Sequence, residues 1–195
     1  MSPLERDEKA LWNQKYSARS HMSLEPDPFL VSAYSEFLAG TSPGTALDVA
    51  GGVGRHTLWL AERGWRVKLV DVSDVGIEQA RKNVATSRSA ALVQFEVADL
   101  ENSRNLGNEL YDLVLVFFYL QRELFPALIS ALKTGGLLLY KTYTVAQRQF
   151  PGGPSHPMHL LQPDELLRGF GSLQILHYHE SGQGKGVAEL AARKS

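Results

Sequence analysis

The chain has no cysteine. That removes disulfide staples, thiolate nucleophiles and Cys-ligated zinc or iron–sulfur centres. An excess of charge of one sign is also missing, since 20 basic and 21 acidic side chains leave a formal net charge of −1. Such a balance leaves no electrostatic footprint for a nucleic-acid groove or an anionic membrane surface, so neither is expected as a partner. Long apolar runs are absent too. Stretches such as residues 113–120 and 137–140 fall far short of the roughly 20 residues a helix needs to span a bilayer. The N-terminus, MSPLERDEKALWNQKY, is charged and lacks the apolar core of a secretory signal, so a cytoplasmic protein is expected. No internal repeat or low-complexity tract appears.

What is present suits a single domain of 195 residues, 44% of them hydrophobic, enough for a sizeable core. Apolar spacing and turn residues predict helices over residues 5–16, 29–38, 55–63, 74–84, 122–132 and 163–170. Strands are expected at 46–50, 67–70, 92–97, 112–119 and 137–142, then at 173–179 and 187–193 around a glycine-rich 181–186. Residues 112–119 are too continuously apolar to be half exposed, which places them at the centre of a parallel sheet. Two prolines make residues 17–29 an irregular lid or crossover. The segment 145–162 holds Pro151, Gly152, Gly153, Pro154 and Pro157 and reads as a long loop, a substrate loop or lid by its length and position. Together these imply an α/β fold: a doubly wound, mostly parallel seven-stranded sheet with an antiparallel C-terminal hairpin, in three α/β/α layers.

The first expected strand runs into Asp48-Val-Ala50-Gly51-Gly52-Val-Gly54. Glycines there turn the chain sharply and let a ligand press on backbone. The spacing is wrong for a dinucleotide, because Thr57 stands where G-x-G-x-x-G wants Gly or Ala, and no Walker Lys-Ser/Thr pair follows. Asp71 ends the next strand, where a carboxylate can accept both hydroxyls of a ribose. The alternative is a helix-capping or turn aspartate.

The succession LDVAGGVGRHTLWLAERG, VKLVDVS, VADLE and YDLVLVFFYLQRELFPALISALKTGGLLLYKTY resembles the class I methyltransferases that use S-adenosylmethionine (SAM). Within them it is most similar to the small bacterial tellurite-resistance-type enzymes, from about Trp12 to the C-terminus. The resemblance implies residues 1–40 as an N-terminal helical cap on a Rossmann-like core, residues 44–195. It implies SAM as cofactor and S-adenosylhomocysteine (SAH) as product. Asp48, Ala50, Gly51, Gly52 and Gly54 would line the methionine end. Asp71 would hold the ribose, with Val72 and Ser73 beside the adenine. Asp99 would meet the adenine amino group, with Ala98 and Leu100 flanking the ring, and the backbone of Phe117 would face the methionine. A WxxxY-type first helix caps the site in the family, which assigns Tyr16 and Arg19 to cofactor or acceptor. One departure is Ala50, standing where a glycine is common.

Methyl transfer from a sulfonium forces no particular catalytic residue, because the cofactor brings the leaving group. The fourth strand reads Phe117-Phe118-Tyr119-Leu120 and not the Asn/Asp-Pro-Pro-aromatic motif of nucleobase amino-methyltransferases. Tyr119 and Arg122, just past its tip, are the catalytic candidates, to orient or deprotonate an acceptor and to hold an anionic one. The alternative packs Tyr119 in the core and pairs Arg122 with Glu123 or Glu165. Tyr143 and Thr142 are weaker candidates of the same kind. His156 and His159 lack a carboxylate at ligand spacing, so no metal is expected; His177 and His179 read as structural. The expected reaction methylates oxygen, sulfur or a chalcogen oxyanion of a small molecule. Competing readings are an RNA- or protein-directed methyltransferase, a SAM-binding regulatory or assembly module without turnover, and a nicotinamide oxidoreductase.

Overall fold

The computed structural model describes residues 8–18 and 23–195. Arg19 and residues 5–7 of the expected first helix lie outside the described residues. Seven strands form one sheet in the order β3-β2-β1-β4-β5-β7-β6. They are β1 (Thr45–Val49), β2 (Arg66–Asp71), β3 (Val93–Val97), β4 (Tyr111–Phe117), β5 (Leu132–Tyr143), β6 (Gln174–Gln183) and β7 (Lys185–Arg193). The first five pair in parallel, and β7 pairs antiparallel with both β5 and β6. The strand order reverses between β1 and β4, so their carboxyl ends open a crevice there.

The helices are α1 (Glu8–Ser17), α2 (Pro28–Phe37), α3 (Arg55–Ala61), α4 (Asp74–Ala85), α5 (Phe125–Ala131) and α6 (Glu165–Gly169). One layer packs α2 and α3 against Ala46, Val67, Leu113, Leu115, Leu137 and Leu139 of the sheet. On the same side, α4 packs Ile77 and Ala80 on Leu69. The opposite layer sets α5 and α6 on Val114, Val116, Leu138 and Tyr140. Alternate residues of β4 thus serve both cores, and burying each such side chain stabilises by about 1.5–3 kcal/mol. No helix crosses from β3 to β4, which leaves β3 thinly covered, with Val97 46% exposed.

Local chemistry sets the starts of these helices. Asp27 caps α2 by accepting from the Phe29 amide, with Pro28 in the first turn. Ser73 caps α4 by accepting from the Gly76 amide. Phe29, Leu30 and Ala33 bury α2 in the core, so the helix is part of a layer. By contrast α1 buries no residue fully.

Three local expectations change. The break expected between the helix at 122–132 and the strand at 137–142 is a bulge inside β5: Leu132 pairs with Tyr111, and regular pairing resumes at Leu137 opposite Leu113. Gly135, at φ +79°, makes that detour possible. The glycine-rich 181–186 is the tip of a hairpin whose strands run on to Gln183 and from Lys185. The segment 145–162 carries short 3-10 turns at Val145–Gln149 and Pro157–His159 and bridges Thr144 to Leu161. Among the described residues no helix is long and apolar enough to cross a membrane.

Candidate functional site

The glycine loop leaves β1 through Ala50, Gly52 and Gly54, all with positive φ (54°, 56° and 79°). Glycine adopts this region freely, whereas alanine at position 50 is strained by about 1 kcal/mol. A Cβ on Gly51 would lie 2.9 Å from the Asp48 carboxylate, and one on Gly52 would collide with the Tyr16 hydroxyl. The loop is therefore drawn tight between two acidic strand ends and the ring of α1.

Those strand ends carry the site's charge. Asp48 is buried and accepts from the Thr57 hydroxyl at 2.7 Å. Burial pushes its carboxyl up to about 6, and the Thr57 bond and nearby Arg55 oppose that. Thr57, which broke the dinucleotide pattern, is thus the partner of Asp48. Asp71 uses one oxygen to accept from the Gly52 amide at 2.8 Å and the other to accept from the Ser73 amide at 2.8 Å. Burial raises its carboxyl, and these backbone bonds pull it back. It pins the glycine loop to the turn after β2, and each oxygen retains an acceptor direction.

The remaining expected positions fall around this pair. Val72 is partly buried at the turn, and Ser73 is buried, its hydroxyl donating to Asn13 Oδ1 at 2.6 Å. Ala98 donates its amide to the Asp71 carbonyl at 3.0 Å, placing the β3 exit beside β2. Asp99 is exposed and accepts from the Glu101 amide and the Asn102 side chain. Leu100 is buried in the α5–α6 core. Phe117 is buried, with the His56 ring 4.3 Å from its own. Tyr16 stacks on Trp12 at 5.7 Å, and burial and the charges of Asp71 and Asp48 raise its phenol.

The two catalytic candidates separate. Tyr119 is half-buried, and its phenol is raised by burial and then by Glu101, Asp99, Glu8 and Asp71. Arg122 grips Glu165 through Nε at 2.5 Å and Nη2 at 3.0 Å, and donates to the carbonyls of Met158 and Leu160 at 2.9 Å each. Its fork fastens the end of the 145–162 segment to α6. At the other end, buried Gln147 donates to the Gly152 carbonyl and accepts from the Gly186 amide. Thr142 is buried, and Tyr143 is half-buried beside the Phe118 ring at 5.1 Å. His156 and His159 have ring centroids 6.1 Å apart. Among the described residues no three His, Asp or Glu side chains gather as metal ligands.

The sequence reading missed a polar cluster behind the crevice. Lys141 pairs with Asp27 at 2.8 Å and with Glu189 at 2.9 Å. His56 is buried, accepts from the Asp27 amide at 3.3 Å, and is pushed down to about 3 by burial, Arg55 and Lys141. A signal existed: Lys141 and Glu189 are charges inside apolar strands, and they stand directly opposite in the register.

The strand order and the crevice recur in solved methyltransferase structures, which share this fold. Residues 46–136 match the family model of a methyltransferase domain. TehB from Haemophilus influenzae superposes with a TM-score of 0.69 at 20% identity, over 94% of this chain and 67% of that one. Geranyl diphosphate C-methyltransferase from Streptomyces coelicolor, solved with Mg2+, geranyl diphosphate and SAH, gives 0.69 at 16% identity, over 100% and 98%. A tRNA (uracil(54)-C(5))-methyltransferase of Pyrococcus abyssi is 37% identical over 87 residues, 45% of this chain. The chain spans about a fifth of the length of that curated relative, 20%.

Proposed function

We propose that the chain is a SAM-dependent methyltransferase acting on a small-molecule acceptor. One observation carries the reading. Two buried carboxylates end adjacent strands on either side of a glycine loop, and one of them is bonded to the loop's own amide. That set of acceptors fits the cofactor, whose ammonium group needs a buried acceptor and whose ribose diol needs a carboxylate at a strand tip. Asp48 and the backbone of Ala50–Gly54 would take the methionine end and Asp71 the ribose, with Val72, Ala98 and Asp99 around the adenine. SAM, when bound, supplies a methyl group on a sulfonium leaving group. The chain's part is to hold the acceptor in line, exclude water and accept any proton released.

On this reading α1 alone is the cap, with Tyr16 across the glycine loop. Tyr119, ringed by carboxylates, keeps its proton and donates a hydrogen bond. Arg122, with its fork bound to Glu165 and two carbonyls, serves the wall of the site. A cytoplasmic setting goes with the cofactor. A second reading, an RNA-directed enzyme, is favoured by the tRNA methyltransferase relative; a steep fall of RNA binding with added salt is its signature. A third keeps the cofactor but not the turnover; tight SAM binding with no SAH formed against a broad acceptor panel would establish it.

Calorimetry with SAM, SAH and NADH tests the cofactor, and SAM and SAH are expected to bind while NADH does not. In Asp71→Ala the loss of a charge-assisted bond should weaken SAM by about 1–3 kcal/mol. Unchanged affinity in a folded variant removes the ribose role.

A further inference from the structure

Arg55 is the charged side chain at the crevice that makes no salt bridge among the described residues, its nearest influence on a carboxylate being through space on Asp48. It is partly buried, directly after the glycine loop, and its guanidinium has no hydrogen bond or ion pair among the described residues. Its neighbour Lys141 has two carboxylates in contact, Asp27 and Glu189. What Arg55 does meet is aromatic: its guanidinium carbon lies 5.9 Å from the Phe118 ring centroid. That ring also lies 5.8 Å from Lys141 Nζ and 5.1 Å from the Tyr143 ring.

Phe118 holds this position at a conformational penalty. Its φ is +58°, and its amide donates to the Lys141 carbonyl at 2.7 Å. Strain of this kind, of order 1–3 kcal/mol, persists where the surroundings fix it and gathers at functional sites. The tip of β4 is thereby turned so that a half-buried ring faces the β5 tip and Arg55. Tyr143 is in turn braced by the 145–162 wall, since a Cβ on Gly153 would stand 3.2 Å from its ring.

We propose that Arg55, Phe118 and Tyr143 form the acceptor's docking face, and that the acceptor is a small carboxylic acid with a flat, apolar body. This rests on the methyltransferase reading and names its substrate class. The carboxylate meets the guanidinium fork, which is shaped for two parallel bonds. The body lies against the two rings, an area of contact that a bare oxyanion would not use. The face begins one residue beyond Gly54 and one beyond Phe117, so a bound acid sits next to the proposed methionine end. Charge supports the same division. Asp48 and Asp71 suit the cationic cofactor, and Arg55, outside any salt bridge among the described residues, is left for an anionic partner.

The test compares benzoate with benzamide as probes on the full chain saturated with SAH, by calorimetry. Benzoate should bind at least tenfold more tightly. Arg55→Gln should bring benzoate down to the level of benzamide while leaving SAH affinity within twofold, and Arg55→Lys should restore part of the preference. Phe118→Leu should weaken both probes together. Equal binding of benzoate and benzamide, or no binding of benzoate, overturns the proposal. So does selenite competing as well as benzoate, which would leave a site for bare anions. If Arg55→Gln weakens SAH but not 5′-methylthioadenosine, which lacks the amino-acid carboxylate, Arg55 serves the cofactor and the proposal falls. Failure of the wild-type chain to bind SAH would defeat the cofactor reading instead, and the two probes are then compared on the free chain with the same criteria.

Discussion

The two sides of the crevice differ in charge, one acidic and the other holding its cations among carboxylates. Where β1, β2 and β3 end, the side chains are Asp48, Asp71 and Asp99, with Glu101 close by. Where α3 begins and β5 ends, they are Arg55, Lys141 and Tyr143. The tyrosines report the contrast. Burial raises both phenols, but the charges around Tyr119 raise it further, while Arg55 and Lys141 pull Tyr143 down. A proton is therefore easier to take from Tyr143 than from Tyr119. The lesson is that residues equally near a strand tip differ in chemical capacity according to the wall they face.

The largest test breaks the acidic wall at its backbone. Gly52→Val places a β-branched side chain at positive φ and against Tyr16, and should abolish SAH binding in calorimetry. Retained binding would mean that the loop does not approach the ligand. Next comes Asp48→Asn. A carboxyl raised to about 6 in the folded chain stabilises the fold only below its ordinary value near 4, and that contribution is lost as pH rises through 6. At pH 8 the charged form is destabilising by about 3 kcal/mol, so urea unfolding of the variant should show a gain of up to that size, together with weaker SAM binding.

A somewhat smaller effect sharpens the opposite wall. His56, pushed down to about 3, stabilises the fold fully above pH 6.5 and loses that contribution as pH falls toward 3. Between pH 6.5 and 4.5 the wild type should lose about 2–3 kcal/mol on this account, and His56→Gln should lack that part of the slope in urea titrations. Parallel slopes would show that the ring is not held neutral.

The sheet was legible because strand ends, glycines and caps are local. Five parallel strands and the final hairpin can be read from apolar runs. The bulge at Gly135 was not legible, because a glycine pair looks the same whether it ends a helix or bends a strand. Asp71 could be located by its strand, but its bonds to the Gly52 and Ser73 amides exist only in the fold. Arg122 was ambiguous for the same reason: its partner Glu165 lies 43 residues away. The cluster around Lys141 joins Asp27, His56 and Glu189 from separate elements, so the chain announces it only by two charges inside apolar strands, Lys141 and Glu189.

The way α1 is attached has a kinetic meaning. Asn13 bonds the Ser73 hydroxyl and the Asp74 carboxylate, and Lys9 pairs with Asp74 at 2.8 Å. The helix is thus latched to the very turn that follows Asp71, with Tyr16 across Gly52 and Gly76. On the proposed assignment nothing enters or leaves the cofactor side until that latch lifts. The cycle then runs in a fixed order, cofactor first in and its thioether product last out. Rapid mixing tests whether the latch sets the pace: a fast first turnover followed by a slower steady state places the slow step at release, and no burst places it at or before methyl transfer.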